Sequence, residues 1–350
     1  MIFSMLGLLC TPYLIKYHKS CKTVISQGIW VALPIYVLST FLNDQKSSVL
    51  RQDDDAGCNA RNILGLYSSL VSILYGFGRG IFLGAFTSLV CLLCPAGQAG
   101  KTLGTVVSMF CASGFVMTWD VGNFGIWILV FLSFLWLSLG NLDHEEEEIA
   151  VIGDEGTGSV FTVLSDLILY LPLALATVHS FTLATGGFGW LYEEYTQDIV
   201  GDHLTYIWMT LLVIAPPLFG IIWDKNSSMA DILARVFVII GGIFILIAVF
   251  VPSFTRFWFL GQILVCLGTS PMHAFAYSSA GGYENKIGAM CVYNFWFIFA
   301  RLFVYFNTWF WGDADASSIH NRQTLWPTFY LWLLFMLISV AVGQKVLGSD

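Results

Sequence analysis

Long apolar runs separated by short polar segments dominate the hydrophobic pattern of the chain. Most runs are about 20 residues long, the length that crosses a bilayer as a helix. They do not alternate between apolar and polar positions, so they predict helices rather than strands. Eleven membrane spans are predicted, at 2–14, 23–41, 64–93, 102–118, 124–139, 160–192, 206–223, 232–251, 257–277, 287–306 and 325–342.

The strongest interruption of this pattern is the polar run at 141–159. It contains seven acidic residues, three glycines and no Lys or Arg. Such a segment cannot bury enough apolar surface to become ordered, which is typical of a solvated linker. It therefore divides the chain into an amino-terminal bundle of about five spans (1–140), an acidic cytoplasmic linker (141–159) and a carboxy-terminal bundle of six spans (160–350). A long loop is the plainer interpretation of the same run.

Composition agrees with a membrane protein. Hydrophobic residues make up 57% of the chain and charged residues 11%, whereas soluble domains average about 25% charged residues. So few charges cannot cover a soluble surface, and a lipid-facing chain must satisfy its backbone internally. The predicted fold class is thus an all-α polytopic membrane protein. Lys and Arg are slightly more numerous in the loops on the linker side, which indicates that this side is cytoplasmic.

A short segment between the predicted spans 206–223 and 232–251 resembles a known loop motif. It reads Gly220-Ile-Ile-Trp-Asp224-Lys225, and it is similar to the tight cytoplasmic turn between the second and third helices of each half of major facilitator superfamily transporters. Glycine lets two helix ends approach, and the aspartate can cap or pair across them. The run Gly7 to Lys16 occupies the matching place in the first half, but Cys10 or Thr11 stands where the aspartate is expected.

The stretch Gly76-Phe-Gly78-Arg79-Gly80-Ile-Phe-Leu-Gly84 resembles the fourth helix of the same family. On this alignment the family has twelve helices and the first is absent here, either in the protein or through an incomplete gene model. Two further stretches are similar to the branch of uncoordinated-type ion-channel regulators. They are residues 284–306 and the helix beginning near Leu171.

The resemblance implies a major-facilitator-like architecture of two bundles and a secondary transporter that moves a small solute by alternating access. The alternative is a non-transporting subunit of the same fold that regulates a channel or a trafficking partner. The partners would be the lipid bilayer and an unidentified small solute, with coupling to protons or another ion left open. No basic cluster suggests nucleic acid.

Four polar residues within the predicted spans are candidates for contact with the substrate or a coupling ion: Arg79, Arg301, His179 and Asn294. An ionisable side chain in a span is costly and usually faces a cavity or a partner. The alternatives are an arginine that bonds backbone carbonyls or extends to the interface, and a hydrogen-bonded core histidine.

The remaining assignments are structural. Gly220, Asp224 and Lys225 form the predicted gating turn, and Gly76, Gly80 and Gly84 form a small stripe for helix packing. No catalytic constellation is visible in the sequence, so we expect neither an enzyme nor a cofactor nor a metal site.

Overall fold

The computed structural model describes residues 1–34, 55–94, 97–118, 171–172, 174–178, 203–251, 257–283, 285–311, 331 and 333–338. The predicted linker at 141–159, the span at 124–139 and His179 lie outside these residues, and the spans at 160–192 and 325–342 lie mostly outside them. The division into 1–140 and 160–350 therefore stays a prediction.

The described residues form eight long helices, and no strand occurs among them. They are α1 (Ile2–His18), α2 (described from 21 to 34), α3 (Asp55–Leu92), α4 (Ala99–Thr118), α5 (His203–Lys225), α6 (Ser227–Phe250), α7 (Phe257–Gly281) and α8 (Lys286–Trp311). Short helical stretches at 171–172, 174–178 and 333–338, with residue 331, complete the described part of the chain. The predicted all-α fold is confirmed, while the count of about eleven spans stays a prediction.

Four of the described helices are long and apolar enough to cross a membrane: Ser69–Leu92, Ser227–Ala248, Phe259–Gly281 and Lys286–Phe303. Helix α6 also exposes an apolar stripe whose members follow a helical spacing: Ile232, Val236, Ile240 and Ile243. Such a stripe is unfavourable in water and suits lipid. The protein is thus a multi-pass membrane protein.

By their contacts, the described helices fall into two compact units. The first contains α1, α2, α3 and α8 as far as Ile298. Its core includes Ile15 of α1, Ile25 of α2 and Ile81 of α3, together with Ile287 of α8.

Glycines set the helix spacing in the first unit. A Cβ atom added to Gly80 would lie 3.0 Å from the Cα of Ser4 in α1 and closer still to the Ser4 carbonyl oxygen. On the other side of α3, a Cβ atom at Gly78 would lie 2.8 Å from the backbone nitrogen of Ala32 in α2. Helix α3 therefore packs by its backbone against both α1 and α2.

The second unit contains α4, α5, α6, α7 and the part of α8 from Phe299 onward. Its core includes the stacked rings of Trp223 in α5 and Phe275 in α7, whose centroids are 4.4 Å apart. Helices α6 and α7 approach at Gly241 and Gly261, where an added Cβ on either residue would lie 2.6–2.7 Å from the other's carbonyl oxygen.

A single residue, Asn226, connects α5 to α6. Its backbone is extended, and its side chain accepts a hydrogen bond from the Met229 amide at 2.9 Å. This is the usual geometry of an N-terminal helix cap. The short connection makes α5 and α6 a tight helical hairpin.

We predict that Gly80→Ala destabilises the protein by about 1–3 kcal/mol, the cost typical of overpacking. Alanine favours a helix over glycine by about 1 kcal/mol, so a loss must come from the contact with Ser4. Gly84→Ala should cost less, because the nearest atoms are side-chain atoms of Thr11 and Cys291 at 3.0 and 3.1 Å. Thermal unfolding in detergent measures both variants.

Gly282→Ala is the control for this prediction. The nearest atom to its added Cβ would be the Ser279 carbonyl oxygen at 3.4 Å, an ordinary contact. Equal melting temperatures for the variants at Gly80, Gly84 and Gly282 would contradict the prediction.

Candidate functional site

The predicted gating turn lies against the first turn of α4. The Asp224 carboxylate accepts a hydrogen bond from the Gly100 amide at 2.7 Å and another from the Lys101 amide at 3.0 Å. These are the second and third residues of α4, whose amides an N-cap side chain normally satisfies. The structure therefore shows a helix cap supplied by a different helix, with a negative charge at the positive end of the α4 dipole.

Gly220 brings the two helices close enough for this cap. A Cβ atom at Gly100 would lie 2.6 Å from the Gly220 carbonyl oxygen, and a Cβ atom at Gly220 would meet Gly100 and Lys101. One turn further, a Cβ atom at Gly104 would lie 2.5 Å from the Pro216 carbonyl oxygen. The α4–α5 crossing is therefore a contact between backbones.

A side-chain hydroxyl group makes the next hydrogen bond between α4 and α5. Ser108 donates a hydrogen bond to the Val213 carbonyl at 2.5 Å. That carbonyl would normally accept from residue 217, but Pro217 has no N–H. Ser108 of α4 thus satisfies a backbone group that the proline in α5 leaves open.

The third residue of the predicted turn behaves differently from the other two. Asp224 is half-buried, whereas Lys225 is exposed. The structure brings Gly220 and Asp224 together with α4 and leaves Lys225 at the solvated end of α5.

Among the described residues, no side chain from another helix caps the matching turn of the first unit. Thr11 donates its hydroxyl to the Gly7 carbonyl within α1, at 2.8 Å. Helix α8 carries its own cap, because the Asn285 side chain accepts from the Gly288 amide at 2.9 Å. A neutral cap from the same chain segment thus serves α8, whereas α4 has an acidic cap from another helix.

Arg79 lies on an exposed face of α3. Its neighbours Gly78 and Gly80 are buried against α2 and α1, and Gly76 and Gly84 pack on α1 as well. The contacts on both sides direct the guanidinium away from α1 and α2, so the side chain is available to a solute or to lipid.

Asn294 occupies a buried place within the first unit. Its amide nitrogen donates to the Thr87 hydroxyl of α3 at 3.0 Å and to the Met290 carbonyl of its own helix at 2.9 Å. The side chain is fully buried. In this geometry the amide joins α8 to α3.

Arg301 lies in the second unit and is exposed. The same unit contains His273 of α7, a buried residue that the sequence did not single out. Helix α8 thus contributes Asn294 to the first unit and Arg301 to the second.

A buried ion pair is the second feature that the sequence analysis missed. Arg235 and Asp231 of α6 lie 2.7 Å apart, with side-chain exposures of 5% and 11%. Their spacing of four residues was the available signal, since such pairs face each other on a helix. The Asp231 carboxylate compensates the charge of the buried Arg235 guanidinium, because an unpaired arginine inside the second unit would be costly.

Two solved structures of one protein match nearly the whole chain. They are described as a bacterial homologue of the iron transporter ferroportin in the outward-facing state, one of them with soaked iron. Their TM-score is 0.65 and the sequence identity is 13% and 14%, with 98% and 99% of this chain and 89% of the other covered.

A third solved structure is the major facilitator superfamily transporter FucP in the outward conformation. It matches with a TM-score of 0.60 and 11% identity over 98% of this chain and 86% of the other. No protein-family model matches the sequence, and no curated protein is similar to it.

We predict energetic coupling between Asn294 and Thr87. Asn294→Leu or Thr87→Val alone should remove this buried hydrogen bond at a cost of about 1 kcal/mol, because Thr87 still donates to Leu83 and Asn294 to Met290. The double variant replaces both groups by apolar ones and should cost less than the sum of the two. Thermal unfolding of the four proteins measures the coupling free energy, expected to be about 1 kcal/mol.

Thr269→Val is the control for this cycle, because the Thr269 hydroxyl bonds only the Val265 carbonyl of its own helix among the described contacts. It should be additive with Asn294→Leu. Strict additivity between Asn294 and Thr87 would show that the amide contributes to stability independently of the hydroxyl.

Proposed function

Because the chain has the fold of the major facilitator transporters, we propose that it is a secondary transporter. It would move a small solute across the membrane by alternating access of two helical halves, the carboxy-terminal and amino-terminal bundles of the sequence analysis. The iron named for the ferroportin homologue is a property of that protein.

The observation that supports this proposal most directly is the Asp224 cap. It joins α4, which belongs to the predicted bundle 1–140, to α5, which belongs to 160–350. The contact consists of charge-assisted hydrogen bonds at a half-buried helix end. Such an interaction is worth about 1 kcal/mol, so it favours one conformation and can still be broken.

The contact between α4 and α5 is of a kind that can form and break as the two helices move. Gly100 and Gly220 meet by their backbones, and the Trp223 side chain packs on Gly100. Alternating access requires two conformations that differ by only a few kcal/mol. The Asp224 cap would give one of these conformations a modest bias.

A second contact connects the predicted bundles elsewhere. Asn294 of α8 bonds Thr87 of α3, so a helix of 160–350 is again held to a helix of 1–140. We propose that Asn294 acts at this joint, whereas Arg79 and Arg301 are the candidates for contact with the solute or a coupling ion.

Uptake into proteoliposomes tests the proposed function. Purified protein would be screened with sugars, amino acids, nucleosides, organic anions and organic cations. Saturable uptake of a member of one class supports a transporter. Absence of uptake across all classes, by protein that remains folded, would favour the non-transporting regulator of the sequence analysis.

We predict that Asp224→Asn shifts the balance between inward- and outward-open states without unfolding the protein. Loss of the charge at the α4 terminus should remove about 1 kcal/mol from the capped state. That corresponds to a change of about fivefold in the ratio of the two states. Alkylation rates of single cysteines introduced on either side of the membrane measure the ratio.

Lys225→Gln is the matched control for Asp224→Asn. It removes a charge from the same turn, but Lys225 is exposed and no described contact joins it to α4. Accessibility should stay near that of the parent protein. An unchanged ratio in Asp224→Asn itself would argue against a gating role.

We also predict that Arg79 contributes to binding of an anionic solute. Arg79→Ala and Arg79→Lys should both insert and fold, since the side chain is exposed. Alanine should abolish binding, whereas lysine keeps the charge but loses the bidentate fork and should recover only part of the affinity. Calorimetric titration compares them.

If both Arg79 variants bind the anionic solute as tightly as the parent protein does, the role of Arg79 is structural. Failure of both to fold would make it a packing or pairing residue and would remove it from the set of solute contacts.

A further inference from the structure

The side chain of Trp223, near the end of α5, contacts both α4 and α7. Its indole stacks on the Phe275 ring of α7, with centroids 4.4 Å apart and an angle of 19° between the planes. It also packs on the backbone of Gly100 in α4, because a Cβ atom added to Gly100 would lie 2.7 Å from the Trp223 Cδ1. A single aromatic side chain of α5 therefore connects α4 to α7.

Gly100 is contacted by two consecutive residues of α5. Its amide donates to the Asp224 carboxylate at 2.7 Å, and the place that a Cβ atom would take is filled by the Trp223 side chain. Because Trp223 and Asp224 are neighbours in one helix, the orientation of α5 that places the indole on Gly100 also brings the carboxylate to the α4 amides. The indole thus lies where it can hold the cap in position.

The Phe275 ring is held in a cluster of aromatic side chains. It is 1% exposed, and its centroid lies 6.4 Å from that of Phe219 in α5. Phe219 in turn contacts Phe237 of α6 at 6.0 Å. Aromatic pairs at these distances attract each other beyond the effect of burial alone. The place of the Trp223 indole therefore depends on where α7 holds Phe275.

The part of α7 before Pro271 is closely attached to α6. Gly261 meets Gly241 by its backbone, and a Cβ atom added to Gly268 would meet the Ala234 carbonyl oxygen. Small residues at two successive contacts let the helices approach to backbone distance, which is a strong form of helix packing in membranes. This part of α7 is therefore expected to stay with α6.

Pro271 separates the attached part of α7 from the part that carries Phe275. A proline has no N–H, so the Leu267 carbonyl loses its donor within the helix. In α5 a carbonyl opened by a proline accepts a hydrogen bond from Ser108. In α7 the neighbouring Ser270 hydroxyl is buried but makes no hydrogen bond within the described part of the chain. The helix is thus weakly constrained at this point, where a change of direction is least costly.

We propose that Trp223 is a positioning residue for the Asp224 cap, and that α7 controls the cap through the stacking of Phe275 on Trp223. Displacement of the part of α7 after Pro271 would withdraw the Phe275 ring, release the indole from Gly100 and lower the occupancy of the cap. The inference rests on the proposed function, since it adds a control to the contact that is assigned there to gating.

Hydrogen exchange at single amides measures the cap directly. Among the described contacts, the amides of Gly100 and Lys101 bond only Asp224, whereas the Thr102 amide bonds the Gln98 carbonyl at 3.0 Å. Exchange would be followed in the full chain in detergent, by mass spectrometry with fragmentation to single residues. The first two amides report opening of the cap, and the Thr102 amide reports fraying of α4.

Substitution of either stacked ring should open the cap. Trp223→Leu should accelerate exchange at Gly100 and Lys101 about fivefold, because the aromatic stack is lost. Phe275→Leu changes only α7 and should have a similar effect on the same two amides. Trp223→Phe keeps a ring against Phe275 and should restore most of the protection. The Thr102 amide should change much less in every variant.

Phe257→Leu is the matched control. It also removes a stacked ring of α7, since Phe257 lies 5.7 Å from Phe244 of α6 with 8° between the planes. However, it lies in the part before Pro271, so the cap should keep the protection of the parent protein. Equal acceleration in Phe257→Leu, or acceleration at Thr102 in the same proportion, would show general loosening and would overturn the inference.

A double variant tests whether Trp223 acts through the carboxylate. Asp224→Ala removes the acceptor, so the Gly100 and Lys101 amides should exchange at the uncapped rate. Adding Trp223→Leu to Asp224→Ala should then change nothing further. Additive effects would mean that the indole protects α4 independently of the cap, which would overturn the positioning role. Exchange like that of the parent in both Trp223→Leu and Phe275→Leu would overturn it as well.

Uptake by the same proteins distinguishes this inference from the proposed function. Uptake of a solute, with a cap that is insensitive to Trp223 and Phe275, would overturn the inference and leave the transporter intact. A cap that responds to both residues, in a protein that takes up no solute tested, would support the coupling of α7 to the cap and contradict transport.

Discussion

In the hydrocarbon layer of a membrane, a polar backbone group that leaves its helical ladder can bond only to the protein itself. The crossing of α4 and α5 shows how this constraint shapes the molecule. Pro217 leaves the Val213 carbonyl open, and Ser108 of the other helix bonds it. At the helix end, the first amides of α4 are satisfied by Asp224. Each helix thus completes the hydrogen bonding of the other.

The same constraint explains why small residues dominate the described helix contacts. Apolar side chains gain little by leaving lipid for protein, so close packing supplies much of the association energy. Gly80 against Ser4 in the first unit and Gly241 against Gly261 in the second bring backbones together. Polar contacts such as Asn294 with Thr87 then give each pair of helices a defined register.

Much of the fold could be predicted from the sequence because apolar length alone identifies helices in lipid. The predicted spans at 206–223 and 257–277 agree closely with α5 and α7. The start of α3 differs, since the apolar pattern begins at 64 and the helix begins at Asp55. Hydrophobicity marks the part of a helix inside the bilayer, and nothing in that pattern requires the helix to end there.

The candidate site was less predictable. The Gly220 and Asp224 spacing pointed to a helix-end contact, but no local pattern identifies Gly100 and Lys101 as the partners, because they are more than 100 residues away. His273 resembled an ordinary span residue, and its burial beside the Tyr277 ring appears only in the structure. Interactions between distant segments depend on packing, which a single sequence does not specify.

The two kinds of helix cap have a consequence for movement. Asn285 directly precedes α8 and moves with it. Displacement of that helix therefore leaves the hydrogen bond from the Gly288 amide to Asn285 intact. Asp224 belongs to α5, so separation from α4 uncovers the Gly100 and Lys101 amides together with the carboxylate. All three groups then need water. Helix α8 can therefore shift with its cap intact, whereas α4 and α5 can separate only where water follows.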